Sequence, residues 1–214
     1  MSLKSAFVFV LVASLSVPIS TQAQPATGKC GSDRKPVKTR FVSGAADHRF
    51  SVSEFLALGR PDRSEKKSAY QAKLIEGGQE GRMVSLRGFL HGAALSADDS
   101  DYHIQITSSP DNCAEMIIVE VPDDHCVDDA ALAEPALRIR KFIAKLLGKT
   151  PTRTYRRVTT PTEVIVTGQL FYDLHHESST DPGGGRGKAP KNQHCKAGGL
   201  WEIHPIIEIK AVSD

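Results

Sequence analysis

Leu200-Trp201-Glu202-Ile203-His204-Pro205-Ile206-Ile207-Glu208-Ile209 is the stretch whose reading decides the fold. Apolar residues recur at alternate positions through most of it, which is the period of a β-strand. Trp201, Ile203, Ile207 and Ile209 share one parity and predict a face turned to the core. Glu202, His204 and Glu208 share the other. Pro205 restricts the strand further, because proline fits only at an edge, a bulge or a strand end. Trp201, the single tryptophan of the chain, reads as a core anchor or a stacking surface. Glu202 and His204 read as a solvated outer face, as a hydrogen-bonded pair that fixes the strand, or as the lining of a cleft.

Working back toward the N-terminus, Glu163 to Asp173 is a second apolar-rich strand, with Gly168 predicting a bulge or tight bend. A long loop over 174–199 joins it to the final strand. Before it lies one amphipathic helix, Glu134–Leu147. Ile139, Phe142, Ile143 and Leu146 form its apolar stripe, Arg138, Lys141 and Lys145 face water, Pro135 suits the first turn, and Gly148 and Pro151 end it. Three strands precede the helix. Met83–Leu90 alternates, Tyr102–Thr107 alternates with His103 and Gln105 outward, and Ala114–Val121 is apolar on both faces and therefore central. A short helix over 51–59 can be capped by Ser51 or Ser53, and Tyr70 to Ile75 adds a helical turn.

The order is three strands, a helix, then two strands. It predicts a mainly β fold with one helix between strands three and four, a five-stranded OB-like barrel. Residues 47–214 form the single domain. Residues 24–46 have no hydrophobic period and read as a flexible N-terminal arm, with Cys30 as its one point of attachment.

Residues 1–23 read as a cleavable signal peptide. Lys4 supplies the positive start, Ala6 to Ile19 the apolar run, and Thr21-Gln22-Ala23 the small residues before the cut. The apolar run is too short to span a bilayer. The reading predicts a periplasmic or secreted monomer of about 190 residues, enough for one core. The four cysteines Cys30, Cys113, Cys126 and Cys195 predict two disulfides in an oxidising compartment, with all three connectivities open. Their spacing matches no zinc motif. The formal charge of +2 falls further when Lys4 is removed, so no overall field draws the chain to nucleic acid. The local run from Arg138 to Arg157 reads as the wet face of the helix and its following loop.

Three polar constellations stand out. Arg87, His103, Glu120, Asp173, Glu202 and His204 intrude on strands and can converge as one network or one cleft. Asp173, His175 and His204 can hold a divalent metal, although adjacent histidines are poorly spaced for it. No other cofactor is indicated. Arg186 and Lys188 sit in a glycine-rich loop, Asp181 to Lys191, that fails the phosphate-loop spacing and reads as a flexible basic loop over the barrel mouth, a lid or a strand clamp for a ligand. No G-x-S-x-G or H-E-x-x-H is present.

Four motifs, Asp101-Tyr102-His103, Ile118-Val119-Glu120-Val121-Pro122, Val166-Thr167-Gly168 through Phe171-Tyr172-Asp173, and Glu202-Ile203-His204-Pro205, together resemble a family of exported bacterial OB-like small-barrel proteins of uncharacterised function. The resemblance covers about residues 83–210. It implies the barrel architecture and nominates the shared polar residues without assigning them a task. The expectation for function is a binding module for an oligonucleotide, oligosaccharide or peptide, with Trp201, Tyr172 and Phe171 as stacking surfaces. A metal-dependent hydrolase or nuclease, and a structural envelope protein, are the alternatives.

Overall fold

The computed structural model describes residues 28–177 and 197–212. The expected signal peptide, Arg186, Lys188 and Cys195 lie outside the described residues. The fold is mainly β with few helices. One mixed six-stranded sheet comprises β1 (His48–Ser51), β2 (Met83–Leu95), β3 (Tyr102–Thr107), β4 (Met116–Val121), β5 (Arg156–Tyr172) and β6 (Trp201–Ala211). The helices are α1 (Lys35–Lys38), α2 (Val52–Leu56) and α3 (Ala130–Leu147), with 3-10 turns at Lys67–Tyr70 and Asp124–Cys126.

The strand order is β1-β2-β3-β4-β6-β5, and β5 pairs again with β2. The long β2 makes this return, because β5 lies along one edge of it from Met83 to Ala93 while β1 and then β3 take the other. Met83–Leu90 pairs with Gln169–Thr162 of β5, and Phe89–Leu95 pairs with Thr107–Tyr102 of β3. The register slips between Leu90 and Gly92, where a bulge turns the strand. β4 and β6 meet in parallel at Val119 and Ile203. That single pairing sets Glu120 beside Glu202 and His204.

Alternation sorts the two faces. Val84, Leu86, Ile104, Ile106, Val119, Val121, Val166, Leu170, Trp201 and Ile203 point into one buried core, which α3 closes with Ala136, Ile139 and Ile143. α3 begins earlier than the periodicity predicted, at Ala130, because Asp129 caps it by accepting from the Ala131 N–H. Pro135 consequently lies inside the helix and not in its first turn. Gly168 is at a register shift, as expected, and an added Cβ there would lie 2.4 Å from the Pro205 carbonyl oxygen. Pro205 belongs to the same irregular stretch of the β5–β6 ladder. α2 starts with the Ser51 cap, completed as a capping box by Glu54.

Two differences from the sequence reading matter for the site. β1 was not expected, since Phe50 is its only apolar residue and four residues carry no period. The N-terminal segment is not a free arm within its described part. Cys30 is bonded to Cys126, 96 residues on, and Cys113 is disulfide-bonded as well. Arg34 is 1% exposed and forms a buried pair with Glu80 at 2.7 Å. Its guanidinium lies 4.8 Å over the Phe171 ring, and Gln169 Nε2 donates to the Val37 carbonyl. Phe171 and Gln169 are on the outer face of β5, so residues 30–38 cover that face and bury what lies beneath.

Candidate functional site: an acid–histidine cluster under a cleft

The outward positions of β3, β4 and β6 bring His103, Glu120, Glu202 and His204 together. His103 Nε2 lies 2.9 Å from Glu120 Oε1, and His204 Nδ1 lies 2.9 Å from Glu120 Oε2 and 3.8 Å from Glu202 Oε2. On the other side of its ring, His204 Nε2 lies 3.1 Å from Asp101 Oδ2. The result is a chain of four groups, His103–Glu120–His204–Asp101. Its inner members are sealed, for the His204 side chain is fully buried and those of Asp101 and Glu120 are 5% and 4% exposed. His103 at the outer end is 38% exposed. The Phe171 ring, 5.3 Å from that of His204, closes one side.

The charges hold each other in place. Burial alone would push the His204 imidazole down, but Glu120 and Asp101 hold it up at about 9. Burial would raise the Glu120 carboxyl, yet the two imidazoles hold it well below the usual carboxylate range. Burial keeps Asp101 raised despite His204, and Glu120 raises His103 against its own burial. Lys38 joins from the N-terminal segment: its Nζ lies 3.0 Å from Asp99 Oδ2, and the Glu120 and Asp99 carboxylates raise it despite its burial.

Above this cluster opens a cleft of about 580 Å³. His103, Glu120 and Glu202 form its floor. Ser96, Asp98 and Asp99 from the β2–β3 turn form one wall, and Asp173, His175 and His176 after β5 form another. Residues 29–33 and Lys38 complete it. Asp173 turns the chain by accepting from the His175 and His176 N–H groups, and its other oxygen is 2.6 Å from His176 Nδ1.

The expected residues divide accordingly. His103, Glu120, Glu202 and His204 converge, and Asp173 lines the same cleft. Arg87 does not take part: it is on the exposed face of β2 in a bidentate pair with Glu163 at 2.8 and 2.9 Å. Glu202 and His204 are 2% and 0% exposed, so the solvated outer face is ruled out. The grouping of Asp173, His175 and His204 as one metal set is not found. Asp173 pairs with His176, and among the described residues the compact sets are Asp101/Glu120/His204 and Asp123/Asp124/His125. Arg140 already neutralises Asp123 in the second, at 3.4 Å. Arg140 is itself not a wet helix residue, since it stacks 3.7 Å from the Tyr102 ring.

The proposed stacking surfaces are also internal. Trp201 is 5% exposed, donates to the Gly59 carbonyl at 2.7 Å and meets the Tyr172 ring edge-on at 5.0 Å. Phe171 and Tyr172 are each 1% exposed. Asp99 and Lys38 were missed as site residues, and Asp101 was nominated only through the Asp101-Tyr102-His103 motif. Asp101 has a readable signal, because it shares parity with His103 at the start of β3. Lys38 has none, since its place depends on a long-range docking. The protein-family models give no match to this chain, and a search of curated proteins gives none either.

Proposed function

We propose that the protein is an exported ligand-binding module on an OB-like barrel of β2 to β6, and that the ligand is a cationic peptide held in the acidic cleft. The architecture is supported by the ladder that returns to β2, with α3 between β4 and β5. Export is supported by the oxidised cysteines. The observation that carries the binding reading is the position of the cleft. OB barrels take ligands on the outer face of the second and third strands and between the loops after the first and fourth. His103 and Glu120 lie on that face here, and the two walls come from those two loops. The four sequence motifs, distant in the chain, also meet at this one place.

The lining selects the ligand. Among the described residues, Asp33, Asp98, Asp99, Glu120, Asp173 and Glu202 line the cleft together with two lysines, Lys29 and Lys38, and three histidines, His103, His175 and His176. A phosphate backbone is repelled by such a surface, and a lysine- or arginine-bearing peptide is attracted. Among the described residues, no Trp, Tyr or Phe lines the cleft, which disfavours stacked bases and sugars. The test is fluorescence anisotropy with labelled tetralysine, an oligodeoxynucleotide and a neutral oligosaccharide. Salt-sensitive binding of tetralysine, weakened by Asp33→Asn with Asp98→Asn, is the expected result. Preference for the oligonucleotide or the sugar overturns it.

A hydrolase is the second reading. It is favoured by His103, a half-open imidazole with one nitrogen on a buried carboxylate, the arrangement of a general acid or base. A purely structural envelope role predicts that none of the three probes binds.

A further inference from the structure

We propose that His204, Glu120 and Glu202, with His103 as a mobile fourth ligand, form a binding site for a divalent transition-metal ion of the zinc type at the floor of the cleft. This goes beyond the peptide-binding reading and stands on different atoms.

The first ground is spacing. Two ligands each about 2.1 Å from one ion lie about 3.0 to 3.5 Å apart in octahedral or tetrahedral geometry. His204 Nδ1 is 2.9 Å from Glu120 Oε2, just under this range, and 3.8 Å from Glu202 Oε2, which lies outside the compact Asp101/Glu120/His204 set and has to move in by a few tenths of an ångström to bind. His103 Nε2 is 2.9 Å from the second oxygen of the same Glu120 carboxylate.

The second ground is independent of the carboxylates. His204 is completely buried, yet neither ring nitrogen makes a well-directed hydrogen bond. The acidic oxygens are near it but lie off the N–H directions. A buried imidazole without an aimed partner is costly, and such groups in native proteins call for an explanation. A metal ion on Nδ1 supplies one. It also gives Asp101 a role, since a turn of the ring that seats the metal on Nδ1 would bring the Nε2–H toward Asp101 Oδ2, 3.1 Å away and off line without it. A metal-bound histidine typically gives its other ring N–H to a carboxylate, which fixes the tautomer and orients the ring.

The third ground is access. His103, Glu120 and Glu202 also line the cleft, so an ion can enter and an external group can reach it. Two carboxylates and two imidazoles are hard-to-borderline donors, suited to zinc and its neighbours more than to calcium. Three fixed ligands with an opening to a cleft resemble catalytic rather than structural zinc sites.

The experiment is isothermal titration of Zn²⁺ into the chelator-treated full chain. It is run beside Glu202→Gln, His204→Gln, Asp101→Asn and the double variant His175→Gln with His176→Gln. The expected result is one ion per chain, raising the melting temperature. Loss of that binding is expected in Glu202→Gln and His204→Gln, with a weakening of about tenfold in Asp101→Asn. Glu202→Gln is nearly isosteric, and its circular dichroism keeps the test decisive if His204→Gln fails to fold. Co²⁺ substitution should give visible absorption bands that Glu202→Gln removes. Absence of binding overturns the proposal. So does binding that survives Glu202→Gln, or binding that only the His175/His176 double variant removes. Tetralysine binding is scored separately on zinc-free protein, so failure of either idea leaves the other standing.

Discussion

Arg34 and Glu80, 46 positions apart, form a bidentate ion pair at 2.7 and 2.8 Å with side chains 1% and 0% exposed. Every remaining direction is used. Arg34 also donates to the carbonyls of Tyr70, Lys73 and Tyr172, and Glu80 accepts from the Ile75 and Tyr172 N–H groups. The pair therefore joins the N-terminal segment, the loop before β2 and the end of β5. Removing one partner strands a buried charge, so Arg34→Ala should cost about 3 to 5 kcal/mol in a urea unfolding titration. Arg34→Lys should recover little, because an ammonium cannot reproduce the fork. An unchanged midpoint for either variant would show that the segment is not held by this pair.

The His204 cluster predicts a pH dependence for protein freed of metal by chelator. The imidazole is raised from 6.5 to about 9 in the folded state. Its contribution is then complete below pH 6.5 and is lost as pH rises through about 9. The shift corresponds to roughly 3 kcal/mol. Glu120 acts with the opposite sign: its folded value is depressed, so its contribution is present above 4.5 and lost as pH falls through the folded value. The melting temperature should fall from pH 6.5 to 9, and His204→Gln should flatten that limb. A level profile in the unaltered protein would contradict the charge pairing.

His91 gives a separate acid-side effect. It is 1% exposed, with Nδ1 2.6 Å from the Tyr155 hydroxyl, and burial lowers its affinity for a proton. Neutral His91 supports the fold above pH 6.5, and that support is lost as pH falls through its lower folded value. His91→Gln should reduce the destabilisation between pH 6.5 and 5 in a thermal melt. An identical slope in both proteins would remove His91 from the account.

Gly168 is fixed by space. A Cβ there would meet the Pro205 carbonyl oxygen at 2.4 Å and the Ile203 Cγ2 at 2.6 Å. Both neighbours belong to β6, one of them backbone. Gly168→Ala should destabilise by about 1 to 3 kcal/mol and shift the amide resonances of residues 203–206. Arg87→Ala, on the exposed ladder with Glu163, should change neither melting temperature nor ligand binding.

The strands were legible wherever burial on one face imposed alternation. β3 falls where the parity of Ile104/Ile106 put it, and β6 begins as Trp201/Ile203 predict, but the irregular stretch at Pro205 turns Ile206 into the core and leaves Ile207 half-buried. β5 is longer than expected, starting at Arg156 rather than Glu163, because Arg156 and Arg157 are held by pairing with Ala93 and Gly92 and not by apolar period. The same limit explains the site. His103, Glu120, Glu202 and His204 were readable as polar residues interrupting apolar strands. Arg87 looked equivalent, but its strand face is open to water. What decides between them is the cover supplied by residues 30–38, and those carry no pattern that announces where they dock.

That cover has a consequence for how the chain reaches its final state. The segment around Arg34 is among the earliest parts of the described chain, yet its seat is made of Glu80, Phe171 and Tyr172. Under it lies His204 on the last strand. During synthesis or export the beginning must wait for the end, a pattern of distant pairing that slows folding. A chain stopped before β6 lacks Glu202 and His204, so its cleft floor is incomplete and the imidazole that pairs with Glu120 and Asp101 beneath the N-terminal segment is missing.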